Sequence, residues 1–153
     1  MSNMTKERLM RYLYLREENE HSRERLARLR CNAEMPPAVE SDGSQRSGAN
    51  KGKLENAVIC YIELDAELTP RIEINDAEMR EIRAAISSLN DPLEREVLRA
   101  RYIDSDSCRH MMWADVAYAI YGDNDERFVQ AAFKLHARAL QNIEVKEIQD
   151  NSK

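Results

Sequence analysis

The side chains best suited to chemistry lie at helical spacing near the C-terminal end: Arg127, Gln130, Lys134, Arg138 and Gln141. Steps of three and four residues put all five on one face of a helix. Arg and Gln pair bidentately with guanine and adenine edges in a major groove, and Lys or Arg grips phosphate. None of the five is acidic. The acids of the segment (Asp115, Asp123, Asp125, Glu126, Glu144, Glu147, Asp150) fall at its ends, in a turn or on the preceding helix. The chemistry on offer is recognition of double-stranded DNA. Arg127 and Gln130, near the start of the helix, would read bases, and Lys134 and Arg138 would hold phosphate. The plainer alternative is a solvated helix face in a Glu/Arg-rich chain.

Other constellations offer less. Cys108 and His110 form C-x-H, too few ligands for a metal site, and His21 and His136 stand on separate helices with no paired cysteine. The chain has no Gly-rich phosphate loop, no G-x-S-x-G and no H-E-x-x-H. An enzyme, a metal and a cofactor are therefore not expected. Cys31, Cys60 and Cys108 are far apart, which suits reduced thiols in a cytosol. The start M-S-N-M-T-K-E-R-L lacks the apolar core of a signal peptide, and no run approaches the ~18 apolar residues of a membrane span. A cytoplasmic protein without membrane contact is expected.

The elements that position the face must be helices. Glycine and aromatics are scarce, and Glu, Arg, Ala and Leu abound. The net charge of −5 argues against a wholly basic nucleic-acid binder, but it is unevenly spread: residues 1–53 carry +3, 54–78 carry −6, 79–110 balance, and 111–153 carry −2. Residues 5–33 read as one helix with a heptad seam of Tyr12, Leu15, Asn19, Ser22, Leu26, Leu29 and Ala33. Pro36 and Pro37 end it, and residues 36–53 read as a flexible loop. Leu54, Val58, Tyr61, Ile62 and Leu68 stripe a second helix, which Pro70 stops or kinks, folding back antiparallel on the first. Asn75 and Glu78 are spaced as a capping box for a third helix bearing Met79, Ile82, Ile86 and Leu89. Asp91-Pro92-x-Glu94 starts a fourth helix with Leu93, Val97, Leu98 and Tyr102 inside.

Two further helices complete the pattern. Trp113, Val116, Ala117 and Ile120 share a face, Gly122 ends that helix, and Asn124 or Asp125 caps the last one. Phe128, Ala132, Leu135, Ala139, Leu140 and Ile143 form the apolar side opposite the Arg/Gln face. Two helices across a Gly-Asp-Asn turn read as a helix-turn-helix.

Residues 89–143 resemble the C-terminal promoter-reading helix-turn-helix of bacterial sigma factors, through L-E-R-E-V-L-R-A-R-Y, V-A-Y-A-I-Y-G and A-L-Q-N-I. More of the chain is similar to the sigma-like phage regulators of the RinA/ArpU type. The matching pieces run in order: Arg11-Tyr12-Leu13, the Ser/Gly/Asp-rich 41–52, Leu89 to Tyr102, Trp113, then His136, Ala139 and Leu140. That resemblance implies a phage or prophage transcription regulator in a bacterial host cell, with RNA polymerase as a partner.

The expectation is thus an all-α protein: a helical arm over 1–88, a helix-turn-helix domain over 89–145 and a tail over 146–153. Its leading function is DNA-binding regulation of transcription. A small terminase-like packaging or assembly protein is one alternative, and a protein-interaction module that has lost DNA is another. The N-terminal helices also offer a homodimer contact, though pairing within one chain is the simpler use of them.

Overall fold

The computed structural model describes residues 3–34 and 47–150. It is all-α, with no strand among the described residues. The helices are α1 (Lys6–Glu34), α2 (Ser47–Ser87), α3 (Pro92–Tyr102), α4 (Trp113–Tyr121) and α5 (Glu126–Asp150). None is long and apolar enough to cross a membrane, among the described residues.

The chain divides into two compact units. One comprises Met1–Glu17 with Asp76–Lys153, the other Glu18–Asn75. The sequence reading divides the chain near residue 88. The start of α1 and the end of α2 instead belong to the unit that holds α3, α4 and α5.

That unit contains the hydrophobic core. Leu9, Tyr12 and Leu13 of α1 and Met79, Ile82 and Ile86 of α2 pack with Val97, Leu98 and Tyr102 of α3, Val116 of α4, and Leu135, Ala139 and Ile143 of α5. Its local starts follow the sequence signals. Thr5 caps α1, its Oγ1 accepting from the Arg8 N–H at 3.4 Å. Asp91 caps α3, with Oδ1 accepting from the Leu93 N–H at 2.9 Å and Pro92 in the first turn. Arg8 ties the two long helices by donating to Glu78 (2.8 and 2.9 Å) and Glu81 (2.7 Å). Arg16 donates to the carbonyls of Ile103, Ser105 and Ser107, which fixes the loop after α3. Leu93, expected inside, is exposed. Glu94 and Ala100 take buried places on α3 in its stead.

In the second unit α1 continues the expected heptad seam. Asn19 is buried, and Ser22, Leu26, Leu29 and Ala33 are half-buried. The reading of α2 needs three corrections. Residues 47–53 are helix, so only 36–46 of the expected loop fall outside the described residues. Pro70 lies inside α2 and does not stop it. Proline in a helix interior costs about 3 kcal/mol through its missing N–H and ring clash, so neighbouring contacts must offset it. Just beyond it α1 holds α2: Asn19 donates to the Ile72 carbonyl at 3.3 Å, and Asn75 donates to Asn19 (2.9 Å) and Glu18 (3.1 Å). Asn75 is therefore a buried pairing residue and not a helix cap. Third, the inward stripe of α2 is Leu54, Ala57, Tyr61, Leu64 and Leu68, while Val58 and Ile62 are exposed. The seven-residue steps Leu54, Tyr61, Leu68, Asn75, Ile82 and Leu89 run on through Pro70. At the other end α5 extends to Asp150, so 146–150 is helical where a tail is expected.

Candidate nucleic-acid interface

The candidate face stands on α5, and α4 sets its direction. α4 ends at Gly122, whose φ of 73° and ψ of 9° are left-handed. The Gly122 N–H bonds the Tyr118 carbonyl at 2.8 Å. Asp123 and Asp125 then organise the turn: the Asp123 Oδ1 accepts from the Asp125 N–H (3.0 Å), and the Asp125 Oδ1 accepts from the Glu126 N–H (2.8 Å). Of the two expected caps for α5, Asp125 makes the bond. The Tyr121 and Phe128 rings, 5.6 Å apart, bracket the turn.

Behind the turn an aromatic cluster holds α4 on α5. Trp113 lies 4.5 Å from Phe133 and 4.8 Å from His136, with the Arg101 guanidinium over its ring at 4.7 Å. Arg101 also donates to the Met111 carbonyl. Tyr102 and His136 share a buried hydrogen bond of 2.7 Å between Oη and Nε2. Burial pushes the Tyr102 phenol up to about 12 and the His136 imidazole down to about 4. Both groups are therefore neutral at pH 7. His136 is a polar core residue fixing the α3–α5 crossing, not a ligand.

All five expected site residues are exposed on one face of α5. They are not equivalent. Arg138 is engaged: its Nε donates to Glu94 Oε1 and its Nη2 to Asp91 Oδ2, both at 2.9 Å. Asn142 donates to the same Glu94 oxygen at 2.7 Å. Glu94 is only 3 % exposed, so its charge needs these partners. Arg138 thus joins α5 to the start of α3, and its charge is matched by two carboxylates. Arg127 keeps a loose contact with Asp125 (3.5 Å) and covers the Phe128 ring at 4.8 Å. It is 76 % exposed, so water and salt screen that pair. Lys134 has no acidic partner among the described residues. Gln130 and Gln141 flank it on the exposed side.

The Glu94–Arg138–Asn142 group escaped the sequence reading. Periodicity on one helix gives its faces but not which neighbour meets their edges. The available hint was Glu94 itself, an acid in a stripe position of α3 beside Val97 and Leu98. Among the described residues no group of His, Cys, Asp and Glu could hold a metal ion. No protein-family model, no curated protein and no solved structure matches this chain.

Proposed function

We propose that this chain is a DNA-binding regulator of transcription that lays the first half of α5 in a major groove. The observation that carries the reading is the turn at Gly122. It sets α5 against α4 so that Phe128, Ala132, Leu135 and Ile143 face inward while Arg127, Gln130, Lys134 and Gln141 face solvent. The resemblance of residues 89–143 to sigma-factor promoter readers supports the same reading, as does the phage-regulator pattern along the chain. Arg127 and Gln130 read base edges, Lys134 contacts phosphate, and Gln141 lies further along the groove. Arg138 acts as a positioning residue, because Asp91 and Glu94 already neutralise it. The reading includes no catalytic step and no cofactor. It takes RNA polymerase as a protein partner, in the cytoplasm of a bacterial host.

The test is a fluorescence-anisotropy titration on promoter DNA neighbouring the gene, repeated across a salt series. With Lys134 the one phosphate contact beside the base-reading Arg127, the log–log slope is about −1. Changing both to Ala flattens the slope, whereas Gln130→Ala relaxes base preference and leaves the slope. Absence of binding at low salt to every duplex tried would sink the proposal. It would favour a protein-interaction module, which the acids Asp123, Asp125, Glu126 and Glu144 around the face would suit.

A further inference from the structure

In the unit that holds the hydrophobic core, the arginines Arg8, Arg16, Arg95 and Arg101 are half-buried. Arg8 donates to the carboxylates of Glu78 and Glu81. Arg16 and Arg95 each donate to at least two backbone carbonyls. Arg101, on α3, has a single protein acceptor among the described residues, the Met111 carbonyl. Its guanidinium lies 4.7 Å over the Trp113 ring. A guanidinium is a fork of five N–H donors. Most donors of Arg101 are therefore left without a protein acceptor among the described residues.

No carboxylate among the described residues compensates this charge. Asp104, three positions on, and Asp115, in the first turn of α4, make no ion pair with Arg101; the acidic group that acts on it is the Tyr102 phenol. Burial lowers the Arg101 pKa, whereas the hydrogen bond to Glu78 raises that of Arg8. Positive charge gathers at the same place. Burial first, then Lys6 of α1 and Arg101, push the His136 imidazole down, and burial with Arg101 does the same at His110. Glu7 lies beside Lys6 but is fully exposed, so water screens it. A half-buried cation with free donors and no counter-charge is a position that an anion completes.

Position selects the anion. Trp113 opens α4 and packs 4.5 Å from Phe133, which is 39 % exposed. On α5, Phe133 adjoins Lys134 and follows Gln130 by three positions, so it forms one flank of the Arg127–Gln141 face. Arg101, Trp113 and Phe133 thus lead from α3, past the start of α4, to the edge of that face. A helix lying in a major groove has phosphates along either flank, and the helix before it crosses the backbone. We infer that Arg101 holds a phosphate of the DNA backbone beside the groove that α5 enters. Trp113 sets the plane of the guanidinium, its edge donors meet the phosphate oxygens as a fork, and Lys6 adds to the positive field. The inference rests on the DNA-binding reading above and adds to it a contact from outside α5.

The experiment is the salt series above, on the full chain and its Arg101 variants. Lys134 alone gives a log–log slope of about −1, and a second phosphate at Arg101 makes it about −2. Arg101→Gln weakens binding by about 10-fold or more at low salt, returns the slope to about −1 and leaves base preference unchanged. Arg101→Lys keeps the charge, so its slope stays near about −2 although the stack on Trp113 is lost; a purely structural role would not be rescued in this way. A second measurement needs no variant: uncharged methylphosphonates, placed one at a time in the duplex, weaken binding of the unaltered chain at two separate positions. A slope of about −1 for the unaltered chain, a single sensitive position, or a slope that Arg101→Gln leaves unchanged overturns the inference while the DNA-binding reading stands. Any of these would point to a carboxylate of a protein partner as the anion. Absence of binding to every duplex overturns both.

Discussion

Glu94 and His136 are two buried polar side chains whose partners decide what acid or mutation does to the fold. Arg138 supplies a charged hydrogen bond to Glu94 and a second to Asp91. Arg138→Ala leaves Glu94 with Asn142 alone. The Arg138 side chain is itself half exposed, so water replaces part of the loss. A cost of about 1–3 kcal/mol follows, read as a lower urea midpoint with unchanged slope. On the proposed DNA-binding reading, the salt dependence of binding should barely move, which separates this arginine from Lys134. His136 gives a pH effect whose sign is fixed. Its folded value near 4 lies below the ordinary value of 6.5, so the unfolded chain binds the extra proton first. Its contribution is complete above pH 6.5 and is lost as pH falls from 6.5 towards 4. Burial lowers His110 in the same direction. Glu78, held low by Arg8, acts in a separate window: its contribution is present above the carboxylate range and lost below about pH 4.5. Urea titrations should show stability falling by a few kcal/mol between pH 7 and 4.5, and His136→Phe should flatten most of that fall. An unchanged fall in the variant would remove His136 as its cause.

Gly122 and Pro70 play opposite parts at the level of the helices. Gly122 has a left-handed φ that other residues reach with strain, yet a Cβ there would meet nothing within 4 Å. Gly122→Ala should therefore cost about 1–2 kcal/mol from the backbone alone, with no steric clash to relieve. Thermal melts would check it, and a neutral result would mean that the turn does not hold α4 against α5 as described. Pro70 interrupts the hydrogen bonding of a helix that continues through it, so Pro70→Ala should raise stability and helicity, by up to about 3 kcal/mol. Were α2 broken at that point, alanine would change little. These two residues also mark what was legible in the chain. Gly122, Asp91 and the apolar side of α5 act through neighbours in sequence, and local spacing revealed them. Pro70 and Asn75 carry local signals for a helix end and a helix start. Both are overruled by Asn19 and Glu18, more than 50 positions away. The inward stripe of α2 was misread for a related reason. Val58 and Ile62 are as apolar as Ala57 and Leu64, so hydrophobicity alone could not say which stripe meets α1. Within the candidate site, the shared face of α5 was legible, but the neutralisation of Arg138 by α3 was not.

Across the whole molecule, buried apolar side chains are distributed very unevenly. Every residue of the hydrophobic core belongs to Met1–Glu17 or Asp76–Lys153, though α1 and α2 run through both units. Opening free energy follows buried apolar contact, so the two units should not open together. Hydrogen exchange can separate them along the same two helices. In α1, amides around Leu9 and Leu13 should exchange slowly and those from Leu26 to Ala33 faster. In α2, amides from Met79 to Ile86 should be slow and those from Leu54 to Leu68 faster. Heating should then give two transitions in helicity, only the later one accompanied by a change in Trp113 emission. Uniform protection along α1 and α2 would show that the Glu18–Asn75 unit draws its stability from the core of the other unit.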